Sequence, residues 1–163
     1  MKTITEKLVH LEFYKPKYRK QLEQFFLPEE QLQYTSLPIE AIEQCNNDKE
    51  RYPIVILYKD IPAGFFVLHG WDGVKAYSDN RHAILLRAYS INHIYQGKGI
   101  AKKSLQLLPS FVNQHFPDKN EIILAVNKRN IGAQEVYKKG GFEDSNKSVM
   151  GKKGELFIFQ KSI

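Results

Sequence analysis

The stretch Ser90–Leu108, SINHIYQGKGIAKKSLQLL, sets Gly97 and Gly99 among lysines and then runs into an apolar pattern of helical period. Just upstream, AILLRAYSI (Ala83–Ile91) is apolar enough to be a strand inside a sheet. A glycine turn between strand and helix lets backbone N–H groups approach an anion closely, and the helix N-terminus adds partial positive charge. The stretch therefore reads as an anion cradle. Two familiar phosphate cradles fail against it. A P-loop needs serine or threonine after its lysine, where Gly99 follows Lys98, and a dinucleotide fingerprint needs a third glycine where Lys102 stands.

Downstream, the spacing predicts a helix from about Gly99 to His115, with Ile100, Ser104, Leu105, Leu108, Phe111 and Val112 toward the core. Pro109 lies inside it and predicts a kink or an early end. EIILAV is then a buried strand, NKRNIGAQEVYKKG a helix with Asn127 as a candidate cap, and FEDSNKSVMGKKGELFIFQK a β-hairpin.

Upstream, KLVHLEFY reads as a first strand, and KYRKQLEQFFL as a helix with Tyr18, Leu22, Phe25 and Phe26 on one side, stopped by Pro28. PEEQLQYTSLP links it to a second short helix, IEAIEQCNND, with Ser36 as N-cap and Pro38 in its first turn. YPIVILYK and GFFVLHG form a hairpin around Lys59–Ala63, and WDGVKAYSDNR is a polar loop. The order β-α-α-β-β-β-α-β-α-β-β predicts a mixed α/β fold, and the 163 residues are sized for a single domain, 1–163.

Composition narrows the function classes. Hydrophobic residues at 42% and charged residues at 26% suit an ordinary globular chain. The start of the chain lacks an apolar signal core, and no run reaches the roughly 18 apolar residues of a membrane helix, so a cytoplasmic location without membrane partners is expected. Cys45 is the only cysteine, which excludes an intrachain disulfide and a cysteine-based zinc cage, and the five histidines show no metal-ligand spacing. No metal is expected. The net charge of +6 suits a polyanionic ligand, but the basic residues are scattered in short clusters and no nucleic-acid-binding pattern appears.

Gln96-Gly97-Lys98-Gly99-Ile100-Ala101 matches the Q/R-x-x-G-x-G/A signature of the GNAT acyltransferases. About thirty residues later, NIGAQEVYKKGGF resembles the second signature of that family, with Asn130, Ala133, Tyr137 and Gly141-Phe142 at the matching positions. The resemblance is close over Ala83–Phe142 and looser over the preceding hairpin, where Gly64 stands in AGFFVL. It implies a mixed, mostly antiparallel central sheet flanked by helices, with acetyl-CoA as cofactor. Its pyrophosphate would lie on the backbone amides from Gln96 through Gly97, Lys98, Gly99 and Ile100 to Ala101. Lys102, Lys98 and Lys103 are placed to add charge, and Asn130 to position the cofactor or Tyr137; read locally, these are solvated lysines and a first-turn asparagine.

The resemblance also implies that a backbone N–H near Ser90 or Ile91 polarises the thioester carbonyl, and that the Tyr137 phenol acts as general acid toward the departing thiolate. From the helical pattern alone, Tyr137 is equally a packing residue beside Val136 and Ala133. Where many relatives carry a glutamate base on the strand before the turn, this chain has Arg87 and Tyr89, leaving a water chain or His93 as alternatives. The expected acceptor is a small primary amine, polyamine-like or other, met by Glu29, Glu30, Glu40 and Glu43 and the loop at Trp71. The alternatives are a protein or peptide amine, or a non-catalytic CoA-binding or nucleic-acid-binding module. A homodimer through the C-terminal hairpin or sheet edges is also expected.

Overall fold

The computed structural model describes residues 8–163. One seven-stranded sheet runs through it in the order β1-β2-β3-β4-β5-β7-β6. The first strand, β1 (Val9–Phe13), pairs with β2 (Arg51–Tyr58), which turns back into β3 (Ile61–His69). The turn is only two residues long, because Lys59 and Asp60 both hold positive φ, 53° and 64°, as a tight right-twisted hairpin requires. β3 pairs antiparallel with β4 (Ala83–Ile91), and on the far side β7 (Gly154–Ser162) lies between β5 (Glu121–Asn127) and β6 (Glu143–Gly151). The Lys7 end of the expected first strand lies outside the described residues.

One junction is parallel, and it is short. β4 and β5 pair only at Ala83↔Glu121, Ile84↔Ile122 and Leu85↔Ile123. β4 continues to Ile91 and β5 to Asn127 without pairing further, so the sheet splits there.

Apolar residues cover both faces. Ile54, Ile56, Phe66, Leu68 and Leu86 pack with Leu105, Leu108, Phe111 and Val112 of α5 (Ile100–His115), and Tyr137 of α6 (Ile131–Lys139) joins that side. On the other face Val55, Leu57, Phe65 and Val67 pack with Tyr18, Leu22 and Phe25 around α1 (Arg19–Glu23) and with Ala41 and Ile42 of α3 (Pro38–Asn46). A smaller cluster joins Val74 of α4 (Trp71–Val74) to Ala83, Leu85 and Ile123.

Several sequence expectations are corrected. α1 ends at Glu23, well before Pro28, because the Phe26 backbone is drawn to the loop after β4: its N–H donates to Asn92 Oδ1 at 3.2 Å, and its carbonyl accepts from His93 N at 3.0 Å. Phe26 itself is exposed. The linker beyond Pro28 contains a one-turn helix, α2 (Glu29–Leu32), and the Trp71 loop begins with α4. Leu37, not Ser36, occupies the N-cap of α3, with Pro38 fixing the first turn. α5 does not end at Pro109 but runs to His115. An interior proline costs about 3 kcal/mol, but the buried Leu105, Leu108, Phe111 and Val112 each contribute roughly 1.5–3 kcal/mol, and they lie on both sides of it.

Candidate active site

The split between β4 and β5 opens into a cleft of about 1230 Å³. That exceeds the volume of roughly 300–1,000 Å³ typical of a small-ligand pocket. Its floor is the unpaired part of β4, and one wall is the turn from Gln96 to Lys102.

The backbone of the turn is shaped by its two glycines. Gly97 and Gly99 have φ of 79° and 82°, a conformation that a Cβ would strain. Gly99 is the N-cap of α5 and no side chain caps it. Between Gln96, whose N–H bonds His93 O, and Lys103, whose N–H bonds Gly99 O, no backbone N–H has an acceptor among the described residues. A row of unsatisfied amides at a helix N-terminus fits an anionic group. Gln96 is held in place by its side chain, which donates to Ile91 O at 2.8 Å and exchanges hydrogen bonds with the Gln31 amide at 2.9 and 3.2 Å.

Tyr137, Asn130, Ser90 and Ile91 line the same cleft, as do Gly97, Gly99, Ile100, Ala101 and Lys102. Lys98 sits on the exposed outside of the turn, and Lys103 is likewise not among the lining residues. The Tyr137 hydroxyl has no protein partner among the described residues, and its ring lies edge-on to Tyr89 at 5.8 Å and to Phe142 at 6.0 Å. Burial pushes its phenol above the ordinary range. Tyr89 differs, because its hydroxyl is bonded to Ser104 Oγ at 2.6 Å and donates to Ala101 O at 3.2 Å. Asn130 is the N-cap of α6, and its Oδ1 accepts from Ala133 N at 3.3 Å. Asn127 is therefore not the cap: its Oδ1 accepts from Arg129 N at 2.9 Å, and its Nδ2 donates to Lys153 O at 3.1 Å, tying β5 to the β6–β7 tip.

β4 contains a bulge. Val67 faces Arg87 and Phe65 faces Ser90, so two residues, Ala88 and Tyr89, stand where β3 has one, and Ala88 takes a φ of 54°. Val67 and Phe65 share a sheet face, and the bulge therefore brings Arg87 and Ser90, three residues apart, to that same face. Without it they would point to opposite sides. Arg87 donates to His69 Nδ1 at 3.1 Å, and His69 Nε2 lies 3.0 Å from Asp48 Oδ2. An arginine can only donate, so His69 carries its proton on Nε2 and gives it to Asp48.

A family model for the acetyltransferase (GNAT) family matches residues 18–142. The chain belongs to the GNAT acetyltransferase family. Membership makes it an acetyl-CoA-dependent acyltransferase. It is 44% identical over 151 residues to an uncharacterized N-acetyltransferase, YbbJ, of Bacillus subtilis (strain 168), covering 92% of this chain and 94% of that one. Its fold resembles a crystal structure of the aminoglycoside acetyltransferase AAC(6')-Ib in complex with coenzyme A, with a TM-score of 0.76 at 15% identity over 94% of each chain. It also resembles RimL, a ribosomal L7/L12 alpha-N-protein acetyltransferase, with a TM-score of 0.71 at 15% identity over 98% of this chain and 92% of that one.

In this GNAT acetyltransferase, His93 is exposed, stacks edge-on against Phe26 at 5.6 Å, and does not line the cleft. Of the four glutamates expected near the acceptor, Glu40 lines the cleft; Glu29, Glu30 and Glu43 do not. Sequence reasoning missed Thr35, Gln44 and Tyr77, which also line the cleft. No motif marks them, because the positions of Thr35 and Gln44 depend on how α2 and α3 fold back on the sheet, and that of Tyr77 on how α4 packs against Ala83 and Leu85. The lysines of GKKG, read as a scattered charge cluster, reach the cleft at the β6–β7 tip, where Lys153 Nζ donates to Gln33 O at 2.6 Å.

Proposed function

We propose that the chain transfers the acetyl group of acetyl-CoA to the primary amine of a small molecule by direct attack within the β4–β5 cleft. The observation that carries this reading is the row of unpaired amides from Gly97 to Lys102 opening into the same cleft as the unpartnered Tyr137 phenol. Acetyl-CoA supplies an activated acyl thioester and a pyrophosphate. The amides of the turn hold the pyrophosphate, with Lys102 adding charge and Asn130 steadying the first turn of α6. A backbone N–H at Ser90 or Ile91, on the length of β4 that has no β5 partner, stabilises negative charge that develops on the carbonyl oxygen. Tyr137, kept protonated by burial, donates to the departing sulfur.

The amine must reach the cleft neutral. Among the described residues Glu40 is the one carboxylate that lines the cleft and no histidine does, so the amine proton leaves through water toward Glu40.

Thiol release from acetyl-CoA tests the reading against a panel of polyamines, aminoglycosides, amino acids and peptides. Release with one of the small amines is the expected result. Release confined to peptides would transfer the activity to protein amines, and none at all despite CoA binding would overturn the acetyltransfer reading.

A further inference from the structure

Arg87 is a half-buried cation on the cleft that forms no direct ion pair among the described residues. Its side-chain hydrogen bond goes to a neutral acceptor, His69 Nδ1, and the nearby carboxylate of Asp48 is already engaged by Arg51 Nε at 3.2 Å and His69 Nε2 at 3.0 Å. A guanidinium drawn out of water is ordinarily paired. His69 occupies one of its five N–H donors, and the imidazole is itself 3% exposed, so the head group is held while most of its fork stays free. Gly73 allows this packing, because a Cβ there would lie 2.3 Å from His69 Nδ1.

A second observation points the same way. Two buried hydroxyls lack any hydrogen-bond partner among the described residues, Ser90 Oγ and Thr35 Oγ1, and both residues line this cleft. Ser90 is 6% exposed and shares the sheet face of Arg87 through the bulge. Unsatisfied buried hydroxyls lining the same cleft as a guanidinium without an ion-pair partner describe a site for a hydrogen-bonding anion.

We propose that Arg87 receives a carboxylate of the acyl acceptor, which makes the acceptor an amino-acid-like zwitterion and not a polycation. The proposal rests on the small-amine reading above and narrows it. The charge on the acceptor end matches: Arg87 faces the carboxylate, Glu40 supplies the opposite charge for the ammonium, and a polycation would meet a desolvated like charge at Arg87.

The test is calorimetric binding to CoA-saturated protein, using pairs that differ in one carboxylate: lysine against cadaverine, ornithine against putrescine, phenylalanine against phenethylamine. In at least one pair the carboxylated member should bind about tenfold tighter or better, as a charge-assisted, bidentate contact provides. Arg87→Gln should bring that ratio to about one by weakening the carboxylated member alone, and Arg87→Lys, which keeps the charge but loses the fork, should restore part of it. CoA binding by each variant reports that it is folded. Equal or tighter binding of the decarboxylated amine in every pair, or a preference that survives Arg87→Gln, overturns the assignment. These ratios are read without turnover, so a failure of thiol release counts against acetyl transfer while binding alone decides the role of Arg87.

Discussion

The Tyr137 phenol combines two properties that pull in one direction: it has no protein hydrogen-bond partner among the described residues, and burial raises its ionisation above the ordinary value. A phenol of this kind stays protonated through the neutral range and is free to donate. Tyr137→Phe is expected to lower kcat by about 10²- to 10⁴-fold, the usual contribution of a positioned acid, while CoA affinity stays within about twofold. Stopped-time thiol release and equilibrium CoA binding check this, and unchanged kcat would return Tyr137 to a packing role beside Phe142. At this scale spacing along one helix or turn sufficed to single out Gly97, Gly99, Asn130 and Tyr137, which line one cleft. Arg87 was visible as a departure from the family pattern, but not as an unpaired cation. Its surroundings depend on His69, 18 residues away, and through it on Asp48, 21 residues further.

Among the elements, the end of β3, the turn before β2 and the helix α4 converge on a single imidazole. His69 is buried against Gly73, bonded to Asp48 and contacted by Arg87. Burial, and then the charges of Arg51 and Arg87, hold its imidazole below the ordinary range against the opposing pull of Asp48. In the unfolded chain the imidazole takes up its proton at about pH 6.5, and in the folded chain only at lower pH. Between those two values the unfolded state binds more protons, so stability is complete above the unfolded value and declines as pH falls toward the folded one. Thermal unfolding is expected to show a larger drop between pH 7.5 and 5.5 in the native chain than in His69→Gln; equal drops would remove His69 as the cause. Strand and helix order was largely legible, since period-2 and period-3.6 patterns are local. The bulge in β4 was not, because nothing in Arg87-Ala88-Tyr89 announces a left-handed alanine. The shortened α1 was hidden for a related reason: its end is set by Asn92 and His93, far along the chain.

In the whole molecule, two blocks of sheet, β1–β4 and β5–β7–β6, meet through three residue pairs. The mixed sheet could be anticipated from element order and the family signatures, but where it splits could not, since that depends on strands nearly forty residues apart. A ligand lodged in the split contacts both blocks and binds only when they are folded together. CoA at 100 times its dissociation constant should therefore stabilise the fold by about 2.7 kcal/mol, raising the unfolding midpoint by several degrees. Hydrogen exchange should slow at the unpaired ends of β4 and β5. No rise, or protection confined to other strands, would place CoA elsewhere.

The brevity of that three-pair junction also bears on the fate of the protein in a cell. If CoA in the split stabilises the fold as expected above, turnover of the protein by proteases should follow acetyl-CoA supply: abundant enzyme when carbon is plentiful, and faster clearance when it runs short.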